Sequence, residues 1–405
     1  MSTPVPPVPT FPPAPLTLTQ IPGLRAAGVR AGIKASGNPD VALLVADAPI
    51  ACAGLFTQNL YAAAPVLLSR RHLAQSGGRV RAVIVNSGNA NACTGARGEA
   101  DALEMCRRVA AALGCPVEQV LVCSTGVIGV ALPMEKVRAG IDLALAALSA
   151  EPEAGRRFLS AIMTTDAFPK EAGRAGSARV AGVCKGAGMI QPDMATMLAF
   201  VACDLDLAPA ALQSVLPAIA ARSFNAVHVD THTSTNDTLL LFATGKAVAQ
   251  AGWQAEVEAV CHRLSWLIAR DGEGATKVTT IEVTGAQSDA AAKAIARHVA
   301  ASALVRTALF GNDPNWGRFT SQAGNATLDG APAVREPRGL TCLLQGIEVF
   351  RAGEPTAFDR AAASKAMQTE DVLLELRLND GPGRAVVLTA DLGYRYIEVN
   401  AEYTT

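Results

Sequence analysis

Residues 185–198, KGAGMIQPDMATML, bring a lysine, two glycines and a threonine into one short stretch. Gly186 and Gly188 permit tight backbone, Pro192-Asp193 favours a turn, and Thr196 opens an apolar run. A threonine hydroxyl acts as a nucleophile only when an adjacent base activates it. By composition alone Thr196 is an ordinary residue at the start of a strand, where β-branched side chains are favoured. Ser124-Thr125-Gly126 follows a Val-rich run and by itself reads as a small polar turn. Residues 86–95, NSGNANACTG, are dense in Asn and Gly. They lack the Gly-Lys-Ser/Thr ending of a phosphate loop and the glycine spacing of a dinucleotide fingerprint, so they read as a tight loop lining a site. His228 and His232 have the spacing that would put two imidazoles on one helix face. The Thr-rich run around them is a poor helix and no carboxylate completes a ligand set, so no metal is expected.

Taken together these segments point further. Residues 185–198 closely resemble the cleavage-site motif of the ornithine acetyltransferases (glutamate N-acetyltransferases), the ArgJ family of arginine biosynthesis. Other blocks resemble the family's and follow its order: 86–95, 123–129 (CSTGVIG), 163–170 (MTTDAFPK), 234–238 (STNDT), 271–277 (DGEGATK), 311–318 (GNDPNWGR) and 391–403 (DLGYRYIEVNAEY). The resemblance thus spans nearly the whole folded chain.

It implies a chemistry. The Ala195–Thr196 bond would break autocatalytically, giving chains 1–195 and 196–405, and Thr196 would become both the new N-terminus and the nucleophile. A free α-amino group titrates near pH 7.7–8.0 (roughly) and can serve as base to the hydroxyl of its own residue. No catalytic histidine is then needed. The β-methyl group restricts χ1 and helps hold the hydroxyl on line. The resemblance carries the oxyanion hole to Thr125 and Gly126; such donors are typically worth about 100–1,000-fold in rate. It carries substrate contacts to Thr164 (with Thr165 beside it), Lys185, Thr196, Glu273, Asn400 and Thr405, the last on a tail that closes the site. A lysine and a carboxylate suit substrates that bear an α-carboxylate and a cationic side chain.

The implied reaction is ping-pong: acetyl passes from N-acetyl-L-ornithine to Thr196 and then to L-glutamate. The motifs are common to members that also take acetyl-CoA as donor, so that second activity stays open. No metal or bound organic cofactor is required, and the implied assembly is a heterotetramer of two α and two β chains. Two rivals stand beside this reading. One is an N-terminal-nucleophile aminopeptidase or amidase, which would use water as acceptor. The other is a non-catalytic binding protein of the same fold, which would leave the chain uncut.

The sequence departs from the family at three places. Asp230-Thr231-His232-Thr233 stands where Asp-Gly-Asp-Thr is usual, and Tyr403-Thr404-Thr405 where Tyr-Arg-Thr is usual. The segment between MTTD and KGAG is also short.

The elements that must position these residues are partly visible. Val-, Ile- and Leu-rich runs predict strands over 41–45, 80–85, 120–123, 278–284, 340–344, 372–378 and 385–390. Apolar spacing predicts helices over 99–113, 133–148, 208–223 and 253–269. The alternation reads as a layered α/β or α+β fold. The resemblance sharpens this to a four-layer α/β/β/α core plus a smaller C-terminal α/β domain. The divisions expected are a Pro-rich flexible tail over 1–15, an α chain over 16–195, completion of the core over 196–284 and a C-terminal domain over 285–405. Residues 151–157 read as a polar joint.

Bulk composition sets the frame. The chain has 405 residues, half of them apolar and 18% charged, with a formal net charge of −1. It can bury a large core, and it lacks the basic field that nucleic acid requires. The nine cysteines form no C-x-x-C pair and read as buried small hydrophobes in a reducing compartment. The N-terminus has no Lys or Arg before Arg25 and no apolar core, unlike a secretory signal. With no run of about 18 apolar residues, no transmembrane helix is expected and the cytoplasm is the expected compartment.

Overall fold

The computed structural model describes residues 16–190 and 197–402. The expected tail over 1–15, and Ala195, Thr196 and Thr405, lie outside the described residues. Two compact units divide the chain, one built from residues up to 225 with 232–268, the other from 226–231 with 269 onward.

In chain order the elements run β1 (Leu24–Val29), β2 (Val41–Phe56), α1 (Ala64–Gln75), β3 (Arg79–Asn89), α2 (Gly95–Leu113), β4 (Val120–Val127), α3 (Met134–Ala146) and α4 (Pro152–Ile162). Next come β5 (Lys170–Ala175), β6 (Arg179–Lys185), β7 (Leu198–Leu205), α5 (Pro209–Arg222), β8 (Val227–His228), β9 (Thr238–Ala247) and α6 (Trp253–Arg270). The remainder is β10 (Val278–Ala286), α7 (Asp289–Ala301), α8 (Ala303–Phe310), α9 (Trp316–Gly324), β11 (Thr327–Leu328), β12 (Ala331–Pro332), β13 (Thr341–Leu344), β14 (Ile347–Arg351), β15 (Glu354–Pro355), α10 (Arg360–Ala366), β16 (Asp371–Arg377), β17 (Gly383–Ala390) and α11 (Tyr394–Glu402).

The first unit is one mixed sheet in the order β4-β3-β2-β9-β7-β6-β5, with β1 paired to β2. Its central strands are apolar on both faces because helices cover both. Val41, Leu43 and Val45 pack with Met105 and Val109 of α2 and Val137 and Ile141 of α3. Ala42, Leu44 and Ala46 face the opposite way, toward Phe158, Leu159 and Ile162 of α4. Phe158 meets Phe200 of β7 edge-on at 5.3 Å. Each buried Val, Leu, Ile, Phe or Met side chain among them stabilises by about 1.5–3 kcal/mol.

The second unit is a sheet in the order β15-β14-β13-β16-β10-β17-β8. One face packs through Ile281, Val283, Leu374 and Val387 against Ile295 and Val299 of α7 and Phe319 of α9. The protein is therefore a mixed α/β fold with layered sheets, as expected. No helix among the described residues is long and apolar enough to cross a membrane.

Several expectations change. Residues 151–157 are not a joint; they open α4, with Pro152 at its first turn. Glu153, Arg156 and Arg157 form the wet face of an amphipathic helix whose other face is core. The division expected at 284/285 falls at 268/269 instead. The reason is pairing: β10 runs parallel to β16 and antiparallel to β17, so it belongs to the C-terminal sheet. β8 joins the same sheet through β17. His228 thus lies on a strand and residues 229–232 are not helical, so the histidine spacing does not build a helix face.

Candidate active site

In the first unit, the sheet brings separate family-like blocks together at the ends of β3, β4 and β6. Ser124-Thr125-Gly126 is not a turn but the end of strand β4, paired in parallel with β3 so that Thr125 lies opposite Ser87 and Gly126 opposite Gly88. Backbone of β3 fills the space that a side chain at Gly126 would need. A Cβ on Gly126 would sit 2.3 Å from the carbonyl carbon of Gly88 and 2.5 Å from the amide nitrogen of Asn89. Gly126 also has φ +134°, which side chains rarely adopt.

Small polar side chains lock this geometry. The Ser124 hydroxyl donates to Asn86 Oδ1 at 2.6 Å, and Asn86 Nδ2 donates to the Asn89 carbonyl at 2.8 Å. Asn236 Nδ2 donates to the carbonyls of Ala90 and Ser124 at 2.7 and 2.9 Å. Residues 86–95 are therefore the end of β3, a short loop and the start of α2, with the side-chain amide N–H groups of Asn86, Asn89 and Asn91 committed to backbone carbonyls. Asn86, Asn89, Asn91, Ser124 and Asn236 are all buried, which is why each needs a partner.

Lys185 ends β6 and is buried. Its Nζ donates to Thr125 Oγ1 at 3.2 Å. Thr164 lies in the loop after α4, where its N–H donates to Asp166 Oδ2 at 2.8 Å. The other oxygen of Asp166 accepts from the Gly186 N–H at 2.7 Å and from Lys170 Nζ at 2.6 Å, and neither side chain of that ion pair is exposed. Burial pushes the Asp166 carboxyl up, but the charges of Lys170 and Lys185 and these hydrogen bonds outweigh it, holding it well below the usual carboxylate range.

Lys34 Nζ donates to the carbonyls of Pro39 and Met163, the latter next to Thr164. Its pKa falls to about 8 because burial and the Lys185 charge outweigh the attraction of Asp40 and Asp166. So Thr125, Gly126, Thr164 and Lys185 share one neighbourhood.

Thr196 lies outside the described residues, but the chain immediately after it is anchored at the same place. The Met197 N–H donates to Asp237 Oδ1 at 2.9 Å, and Asp237 is fully buried. Burial drives the Asp237 carboxyl well above its ordinary pKa, partly offset by the Met197 amide, the Lys185 charge and the Ser234 hydroxyl. Leu198 pairs with Lys185 across β6–β7 and with Thr238 across β7–β9.

The second unit holds Glu273 and Asn400. Asp391 accepts from the Thr276 N–H at 2.8 Å, the Thr276 hydroxyl at 2.5 Å and the Lys277 N–H at 3.0 Å. Lys277 Nζ bonds Asn312 Oδ1. These contacts join the blocks 271–277, 311–318 and 391–403. The turn bearing half-buried Glu273 touches the first turn of α11: a Cβ on Gly274 would meet the Tyr396 amide nitrogen at 2.4 Å. Asn400 is exposed on α11, and its Nδ2 donates to the Tyr396 carbonyl at 3.0 Å.

Thr231 has φ +68°, so this β-branched residue occupies left-handed backbone, at the position where the family resemblance implies a glycine. Sequence reasoning missed Asp166, Asp237 and Lys34. The first two lay inside recognised blocks, MTTD and STNDT, whose threonines drew attention instead. Lys34 carried no sequence signal. Among the described residues, no group of His, Cys, Asp and Glu is arranged to hold a metal ion.

The ArgJ family model matches residues 25–405. The chain is 45% identical over 399 residues to the arginine biosynthesis bifunctional protein ArgJ of Rhodopirellula baltica, covering 95% of this chain and 96% of that one. It is 45% identical over 391 residues to the protein of the same name from Thermus thermophilus, covering 95% and 98%. Among solved structures, ornithine acetyltransferase complexed with ornithine from Mycobacterium tuberculosis is 38% identical, covers 45% of this chain and 96% of its own, and superposes with a TM-score of 0.40.

Proposed function

The chain belongs to the ArgJ family, and from that premise we propose that it is a glutamate N-acetyltransferase that cuts itself at Ala195–Thr196. Thr196 then carries acetyl from N-acetyl-L-ornithine to L-glutamate, in arginine biosynthesis. The observation that carries the reading is the register of β6 and β7. Leu198, two residues after Thr196, lies opposite Lys185, whose ammonium bonds the Thr125 hydroxyl. A nucleophile attached to Met197 therefore starts its reach beside the candidate oxyanion strand.

Self-cleavage and transfer are both acyl transfers. In each, a hydroxyl attacks a carbonyl, and negative charge on the carbonyl oxygen must be met by preorganised donors. Thr125 and Gly126 are assigned that role. The β3–β4 contact supports it, since backbone held this tightly needs no reorganisation as charge develops. After the cut, the α-amino group of Thr196 takes the hydroxyl proton and later returns one to the leaving amine. Thr164, Lys185, Glu273, Asn400 and Thr405 are the substrate contacts that the family resemblance assigns. The reaction needs no metal or bound organic cofactor, and acetyl-CoA is an alternative donor to assay. The two cut pairs assemble as a heterotetramer in the cytoplasm.

The test is intact mass under denaturing conditions, beside acetyl transfer from N-acetylornithine to glutamate, for the parent and Thr196→Ala. The parent should give two chains of 195 and 210 residues (405 − 195) and turn over. The variant should stay one chain and be inactive. An uncut, inactive parent would favour a binding protein. Acetylornithine hydrolysis without glutamate dependence would favour an N-terminal-nucleophile amidase.

A further inference from the structure

The block 234–238, STNDT, takes no step in the proposed reaction, yet all five of its residues are buried. Asn236 holds the end of β4. Its Nδ2 donates to the Ser124 carbonyl at 2.9 Å and to the Ala90 carbonyl at 2.7 Å. The Thr235 hydroxyl donates to Asn236 Oδ1 at 2.6 Å, so both ends of the amide are held and its orientation is fixed. A peptide unit is planar, so holding the Ser124 carbonyl also fixes the direction of the Thr125 N–H. The next two residues hold a different strand. Asp237 Oδ1 accepts from the Met197 N–H at 2.9 Å, and the Thr238 N–H donates to the Met197 carbonyl at 3.1 Å. Met197 leads directly into β7.

Three strands, β3, β2 and β9, separate β4 from β7 in the sheet, so no ladder hydrogen bond sets the spacing of these two strand ends. Neighbouring residues of one chain segment set it instead. Lys185 also reaches Thr125, but through a long side chain; the Asn236 amide is short and bonded at both ends. We infer that Asn236 is a positioning residue for acyl transfer. It works against the Asp237–Met197 bond to fix the strand end bearing Thr125 and Gly126 relative to the strand that follows Thr196. The inference rests on the proposed acetyltransferase reading and adds to it the group that aligns the oxyanion strand with the nucleophile's strand.

The test uses Asn236→Ala and Asn236→Gln beside Ser69→Ala. Alanine removes the amide, and glutamine keeps it but displaces it by one methylene. Ser69 is the matched control: it is fully buried, its hydroxyl donates to the Val122 carbonyl at 2.6 Å, and the Val122 N–H donates to it at 2.8 Å. It therefore holds the same strand β4 without fixing β7. Intact mass follows the rate of self-cleavage and counts the acetyl-enzyme formed, so that kcat is read per acetylated site. Both Asn236 variants should slow cleavage and lower kcat per site together, by about ten- to hundredfold, the worth of displacing reacting groups by about 1 Å. Ornithine affinity of the cut protein, measured by calorimetry, should change less than about threefold. Ser69→Ala should lower the urea midpoint and keep both rates. A folded Asn236→Ala protein that cuts and turns over at parental rates overturns the assignment. So does a rate loss that Ser69→Ala matches, or failure of both Asn236 variants to fold where Ser69→Ala folds, since either makes Asn236 a residue of the fold alone. A parent that neither cuts itself nor transfers acetyl overturns the acetyltransferase reading, and this assignment with it.

Discussion

Replacing Gly126 by alanine should damage the protein far more than replacing Gly129, three residues on, and the structure supplies the reason. Both glycines have positive φ, +134° and +80°. Forcing alanine into such backbone costs about 1–2 kcal/mol at either position. At Gly129 nothing lies within 4 Å of the added Cβ, so the cost ends there. At Gly126 the Cβ meets the backbone of Gly88 and Asn89 at 2.3–2.8 Å. Backbone in a paired strand cannot rotate away as a flexible side chain can, so overpacking adds about 1–3 kcal/mol. The total at Gly126 is about 2–5 kcal/mol. Separating β3 from β4 also moves Thr125 and Gly126, the donors proposed for the oxyanion, and losing one such donor costs about 100–1,000-fold in kcat. Urea midpoints at constant m-value give the stability difference, and initial acetyl-transfer rates give the second number. Equal destabilisation of the two variants, within about 0.5 kcal/mol, would refute the argument that close strand contact sets this position. A near-parental rate in a folded Gly126→Ala protein would refute its link to the oxyanion.

Two further outcomes follow from named residues. Thr231→Gly should raise the unfolding free energy, read from the urea midpoint at constant m-value, by about 0.5–1 kcal/mol, because relief of left-handed strain exceeds the entropy glycine adds to the unfolded chain; an unchanged or lower midpoint would mean the threonine is not strained there. His228 is buried, and burial first, then Arg306 and Arg297, lowers its pKa to about 3. The unfolded chain therefore binds a proton that the folded one refuses: stability is whole above about pH 6.5 and falls as pH drops from there toward 3, by up to about 1.4 kcal/mol per unit. His228→Gln should flatten that arm in urea titrations across the window, and equal slopes in the two proteins would show that His228 is not responsible.

Sequence by itself determined much of this molecule because much of it is local. Apolar runs and helical spacing found β2, β3, β4, α2, α3, α5, α6 and most of the C-terminal sheet strands, since each element's pattern is written within its own residues. Motif order pointed to the family, and Thr125, Gly126, Thr164 and Lys185, which it singled out, lie in one neighbourhood of the first unit. What it could not supply was partnership. Residues 151–157 looked like a joint because their charges are local while the Phe158 and Ile162 face finds its core only against the sheet. Gly126 looked like a turn because its need for glycine arises from Gly88, thirty-eight residues earlier (126 − 88). The second unit claims β10 and β8 through pairing with β16 and β17, a choice made by long-range hydrogen bonds. Asp166 and Asp237 were legible as letters in known blocks. Their work is to satisfy backbone N–H groups brought from elsewhere in the chain, Gly186 by the first and Met197 by the second. Burial of a carboxylate and the demand that it be fully paired are properties of the folded interior, and tertiary structure alone decides them.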